Sequence, residues 1–197
     1  MHFYTLPEEH ITDHVLDMAS KAFNLPHKEL ITLQRDYEAH VNSDLVVNTL
    51  KHVLIPLKDF LEGVEVCGYA PVGRDWEKLF PQNSPLSVNV SPTGVAYMLF
   101  NLNLFPNLEF WDQFISIQHE KVHLKQVKNG RLSIAPNCVV WEGEDWSERY
   151  LTAQTKLINE NDQTLYRALP WEVEAYTHEE HIRSAMNKNK NNSSNNR

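Results

Sequence analysis

The sequence predicts an α+β fold. Two observations carry that prediction. Apolar residues recur with a helical period over the first sixty positions and again from 109 onward. Between them, residues 64–104 shift to the two-residue alternation of strands, punctuated by Pro and Gly. With 42% hydrophobic and 22% charged residues among 197, the chain has the make-up of a globular protein.

In the helical N-terminal region, residues 1–63, Ile11, Val15, Met18, Ala19 and Phe23 follow the first helical stripe, with Thr12 or Asp13 placed to cap it. A second stretch opens at Pro26, suited to a first turn, and continues through Leu30, Leu33 and Tyr37. A third starts at Ser43-Asp44 and carries Leu45, Val46, Leu50, Val53, Leu54, Leu57 and Leu61. Pro56 should kink or end it, and Gly63 should close it.

A core is expected over 64–186. Val64 to Tyr69 alternates as a strand, and 71–85, with three prolines and a glycine, reads as a loop. Leu86–Val90 and Val95–Leu104 flank Ser91-Pro92-Thr93-Gly94, so 86–104 is expected to form a hairpin. Residues 109–128 return to helix and stop at Gly130. Leu132–Ile134 and Cys138–Trp141 are expected to pair, 147–168 to be helical, and a last helix to run from Pro170 to about Met186. The remaining residues, 187–197, are Asn, Lys, Ser and Arg, and read as a disordered tail.

The formal charge of −8 argues against nucleic acid or anionic lipid as a partner, since both reward a basic surface. No basic stretch leads into an apolar one at the N-terminus, and Val95–Phe105 is too short to span a bilayer. These features make a cytoplasmic protein the expectation. Cys67 and Cys138 fit no metal-ligand spacing and are expected as two buried free thiols.

The chemistry concentrates in His119-Glu120-Lys121-Val122-His123. On a helix the two histidines project from one face, one turn apart, a spacing that lets both imidazoles bind one Zn²⁺. Glu120 stands beside them as a candidate general base. With 10 histidines in the chain, the pattern arises by chance in roughly 4% of such sequences. It therefore needs a third ligand from another element. Pro170-Trp171-Glu172-Val173-Glu174-Ala175-Tyr176 opens a helix with two carboxylates that point to different faces. Either Glu172 or Glu174 can face the metal, and both also suit the positive end of a helix dipole.

Together, His119-Glu-x-x-His123-x-x-Gln126, Gly130, Trp141-x-Gly143 and Pro170-Trp-Glu-x-Glu-Ala-Tyr176 resemble small zincin-like metallopeptidases of the gluzincin type. They are most similar to short HExxH proteins of phages and bacteria. The resemblance spans roughly 110–182. It implies a zincin-like fold with a small antiparallel or mixed sheet and an active-site helix. It also implies a Zn²⁺ cofactor held by His119, His123 and Glu172, with Glu174 the alternative. The activity implied is hydrolysis of a peptide or protein substrate, with Glu120 as base, in the host cytoplasm if the protein is phage-encoded. The strand Val95–Leu104 becomes the expected edge for an extended peptide. Tyr150, Tyr166 and His178 are candidates to steady the oxyanion, and Gln126 to bond a ligand or the Pro170 segment. His178 and His181 are a weaker second metal pair. A zincin-fold binding protein without catalysis, or a phage accessory protein, is the other reading.

Overall fold

In a computed structural model, the described residues are 2–3, 26, 28, 32, 39, 43–70, 84–91, 94–135 and 138–194. They form an α+β fold with two small sheets. The helix expected over 11–23, most of that expected over 26–37, most of the loop 71–85 and the tip of the 135–137 turn lie outside these residues; within 26–37, Lys28 and Thr32 are helical.

Helix α1 (Asp44–Leu54) starts at Ser43, whose hydroxyl accepts the Val46 N–H at 3.3 Å. Pro56 converts the helix to a 3₁₀ segment, Ile55–Leu61, and Gly63 turns out of it at φ 69°. The apolar face of these two segments buries Leu50, Leu54, Leu57 and Leu61.

The first sheet has the order β1-β2-β4-β3. Here β1 is His2–Phe3, β2 Glu65–Tyr69, β3 Leu86–Val90 and β4 Ala96–Asn101. β2 runs parallel to β1 and β4, and β3 closes the sheet antiparallel to β4. The expected hairpin is present, with the Gly94 N–H donating to the Ser91 carbonyl at 2.9 Å. The edge is a correction: β4, at 96–101, lies inside the sheet between β2 and β3. All its residues after Ala96 are buried, so the strand is covered on both faces. Among the described residues β3 is at one edge and β1 at the other, and the less buried pattern of β3 fits.

Helix α2 (Phe110–Lys128) lies against this sheet, adding Ile117 and Leu124 to a core built on Val66, Met98, Phe100 and Phe105. Gly130, at φ 69°, ends it: its N–H donates to Val127 O, and the Arg131 N–H to Gln126 O. That is the paired bonding of a Schellman stop.

The second sheet, β5 (Leu132–Ala135), β6 (Cys138–Trp141) and β7 (Glu144–Asp145), is antiparallel throughout. The expected pairing of its first two strands is present. Glu142 and Gly143 both have positive φ and form its second, two-residue turn. The helix expected over 147–168 is two pieces, α3 (Ser147–Glu160) and α4 (Thr164–Arg167). They are separated at Asn161, which sits left-handed at φ 53°.

The last helix, α5, spans Pro170–Ser194 rather than stopping near Met186, so the backbone of 187–194 is helical where a disordered tail is expected. No Gly or Pro follows Pro170, and Asn, Lys and Ser each cost only a few tenths of a kcal/mol in a helix. A second core collects Leu132, Val139, Trp141, Ala153, Leu169 and Trp171. Both cysteines are free; Cys67 is buried as expected, but Cys138 is exposed. The pleat explains this: Val139 and Trp141, two residues apart, share the buried face, and Cys138 at the strand end falls on the other. No described helix is long and apolar enough to cross a membrane.

Candidate metal centre

The site forms where α2 and α5 meet. On α2, positions 119, 123 and 126 follow the 4, 3 spacing of one helical stripe. On α5, positions 172, 176 and 179 do the same. Ala175, fully buried, allows the two helices a close approach.

The structure brings His119, His123 and Glu172 together. The two Nε2 atoms stand 3.2 Å apart. Glu172 places Oε2 at 3.4 Å from His119 Nε2 and Oε1 at 3.5 Å from His123 Nε2. Ligands about 2.0–2.1 Å from a tetrahedral zinc are about 3.3–3.4 Å from one another, so this donor triangle has the dimensions of such a site. His119, Glu120 and His123 also each offer a donor atom within 4.8 Å of the others. The shorter Glu172 distances make it, not Glu120, the third corner of the triangle.

The two imidazoles differ at their other nitrogen. His123 Nδ1 is 2.8 Å from Gln126 Oε1. His119 Nδ1 is 3.6 Å from Glu179 Oε2, beyond hydrogen-bond reach. The His119 ring packs edge-on against Tyr176 at 4.8 Å, and the Arg167 guanidinium lies 4.0 Å over the other ring, that of Tyr176.

Glu174 points elsewhere. Its carboxylate accepts from Gln126 Nε2 at 3.0 Å and from both terminal nitrogens of Arg131 at 3.0 and 2.6 Å. Arg131, with some desolvation working the other way, holds the Glu174 carboxyl below its usual range.

Electrostatics follow from burial and these pairings. Burial works to raise the Glu172 carboxyl, but hydrogen bonds from His119 and His123 win and hold it at about 2. Burial likewise lowers His123, yet the Glu172 and Glu120 carboxylates bring it to about 9. Glu120 is different. Burial raises its carboxyl, and the nearby histidines and the Val88 N–H only partly offset this. Glu120 therefore sits between the histidines and the edge strand β3.

Of the three candidates for steadying an oxyanion, Tyr166 is the most buried: burial pushes its hydroxyl well up, and the Glu172 charge acts in the same sense. Tyr150 feels the Glu172 charge, but its hydroxyl accepts from Gln154 and its ring packs on Trp171. His178 is exposed and outside the cluster, as is His181. Lys121, within the motif, is half-buried and donates to the Phe60 carbonyl at 3.2 Å. Sequence reasoning gave Tyr176, Glu179 and Arg131 no role. The 172, 176, 179 spacing was the available signal for the first two; none existed for Arg131.

No family model, no curated protein and no solved structure matches this chain.

Proposed function

We propose that the chain is a zinc-dependent peptidase with a zincin-like core. The observation that carries this reading is the donor triangle of His119, His123 and Glu172, with edges of 3.2, 3.4 and 3.5 Å. Two neutral imidazoles and a carboxylate are a donor set that zinc accepts in catalytic sites, and three protein ligands leave a fourth position open. Bound there, Zn²⁺ would act as a Lewis acid and lower the pKa of water.

The chain's own residues supply the proton chemistry. Glu120 has its carboxyl raised by burial and lies beside the two histidines. A base in that position takes the proton of an attacking water and returns it to the departing amine. The Val88 N–H steadies this carboxylate from β3. β3 is paired on one side only among the described residues, so an extended peptide can add to it as a further strand. Tyr166, buried and close enough to feel the Glu172 charge, is the residue best placed of the three to steady the oxyanion.

Elemental analysis of the purified chain should find one zinc per molecule, lost when His119→Ala and His123→Ala are combined. Glu120→Gln should retain the zinc and abolish cleavage of an unstructured protein such as casein. Absence of zinc from the unaltered chain removes the metal site. Cleavage undiminished in Glu120→Gln removes the peptidase, leaving a zinc-stabilised binding protein.

A further inference from the structure

The Gln126 side chain makes three hydrogen bonds whose directions are not free. Its Nε2 donates to the Trp171 carbonyl at 3.1 Å and to Glu174 Oε2 at 3.0 Å. Both partners can only accept, so the amide nitrogen must face them. The amide oxygen then faces His123 Nδ1, 2.8 Å away. An oxygen there can only accept, so Nδ1 carries the hydrogen. When the ring is neutral, its lone pair lies on Nε2, the atom aimed at His119 and Glu172.

The far end of this chain of bonds is anchored too. Arg131 grips Glu174 with two nitrogens and Glu142 with Nε and Nη2. Its guanidinium also lies 4.5 Å over the Trp141 ring. Arg131 arrives there because the Schellman stop at Gly130 folds the chain back, with the Arg131 N–H on Gln126 O. Glu142 is presented by the positive-φ turn it shares with Gly143.

We propose that Gln126 is a positioning residue for the metal centre, held in its amide orientation by Glu174 and, through it, by Arg131. It presents His123 as a ligand in one tautomer. Glu174, the alternative third ligand by sequence, thereby acts from behind the site. This inference rests on the zinc reading above. It adds that metal affinity depends on a row of side chains ending at the protein surface, where Arg131 is about two-fifths exposed.

Zinc titration of the metal-free full chain by calorimetry tests it. Gln126→Leu should weaken Zn²⁺ binding roughly 10- to 100-fold. Pairing Gln126→Glu with Glu174→Gln reverses the donor and acceptor between the two positions and keeps an acceptor at Nδ1, leaving only the Trp171 carbonyl without its donor. It should recover at least half of that loss on a logarithmic scale. A merely space-filling role for Gln126 predicts no such recovery, so failure to recover overturns the proposal. Should Gln126→Leu fail to fold, Arg131→Met reports from the surface. It should weaken zinc about threefold or more, and unchanged affinity overturns the proposal. Undiminished affinity in Gln126→Leu overturns the positioning role and leaves the zinc site standing. An unaltered chain that binds no zinc overturns both.

Discussion

The two cores of the molecule are built differently. The first, under the mixed sheet, is mostly aliphatic: Leu50, Leu54, Leu57, Leu61, Val66 and Met98 fill it around Phe100 and Phe105. The second, under the small hairpin sheet, is organised around Trp171. Trp141, Trp146 and Tyr150 pack on that ring at 6.0–6.1 Å between centroids, and two arginines stack on its neighbours. The candidate site lies on the seam. His119, Glu120 and His123 ride on the helix that belongs to the first core, and Glu172 directly follows the central tryptophan of the second. A site of this kind needs both cores in register, whereas each core can tolerate change without the other noticing at once.

The largest effect expected from that difference is on stability. Phe100→Ala and Trp171→Ala each delete a buried ring and should cost about 3–5 kcal/mol in urea unfolding. They should differ in what else they disturb. Phe100→Ala, provided it remains folded, should lower zinc affinity less, because Phe100 lies in the core beneath α2 and away from the helix that carries Glu172. Trp171→Ala should weaken zinc as well, because the Trp171 carbonyl and Glu172 sit on the same turn of α5. Equal zinc losses in the two variants would mean that the cores are not separable.

Next in size is the contrast between the two carboxylates. Glu172 is 3% exposed and touches both histidines, whereas Glu174 is tied to Arg131 and Gln126. Glu172→Ala should reduce zinc affinity by more than about 100-fold, and Glu174→Gln by less than about 10-fold. Titration calorimetry on both variants checks this, and the reverse order would exchange their roles.

These contrasts also mark what the sequence could disclose. The first region was legible because its signals are local. Alternation marked β2 and the β3–β4 hairpin, Pro56 marked the 3₁₀ conversion, and the i, i+4 histidines needed only a helix to meet. Which strand is the edge was not legible. That depends on β2 pairing with β4 across thirty residues, and alternation within β4 carries no record of its neighbours. The choice between Glu172 and Glu174 was open for a similar reason. Two positions on a helix are about 200° apart, but which side meets α2 is set by Trp171 docking in the second core and by the Arg131 turn. The helical backbone of 187–194 was missed because low-complexity composition says what cannot be buried, not what cannot coil.

The smallest effect separates the regions by their thiols. Cys67 lies in β2, 2% exposed, and burial pushes its thiol up to about 12 from an ordinary 9. Cys138 is exposed at the start of β6. Under native conditions at pH 8, one thiol per chain should react with a bulky disulfide reagent, and peptide mapping should place it at Cys138. Cys67 should react only at the rate of unfolding. The raised value also sets a direction with pH. The folded-state pKa exceeds the unfolded one, so the thiol's contribution is fully present below about pH 9 and is lost as pH rises toward 12. Tyr69, two residues along the same strand and also raised to about 12, should act in the same sense. Cys67→Ala should therefore flatten, but not abolish, the alkaline fall in stability, read from urea midpoints between pH 8 and 11. An unchanged slope would mean that the alkaline limb belongs to Tyr69 and the buried tyrosines of the second core rather than to Cys67.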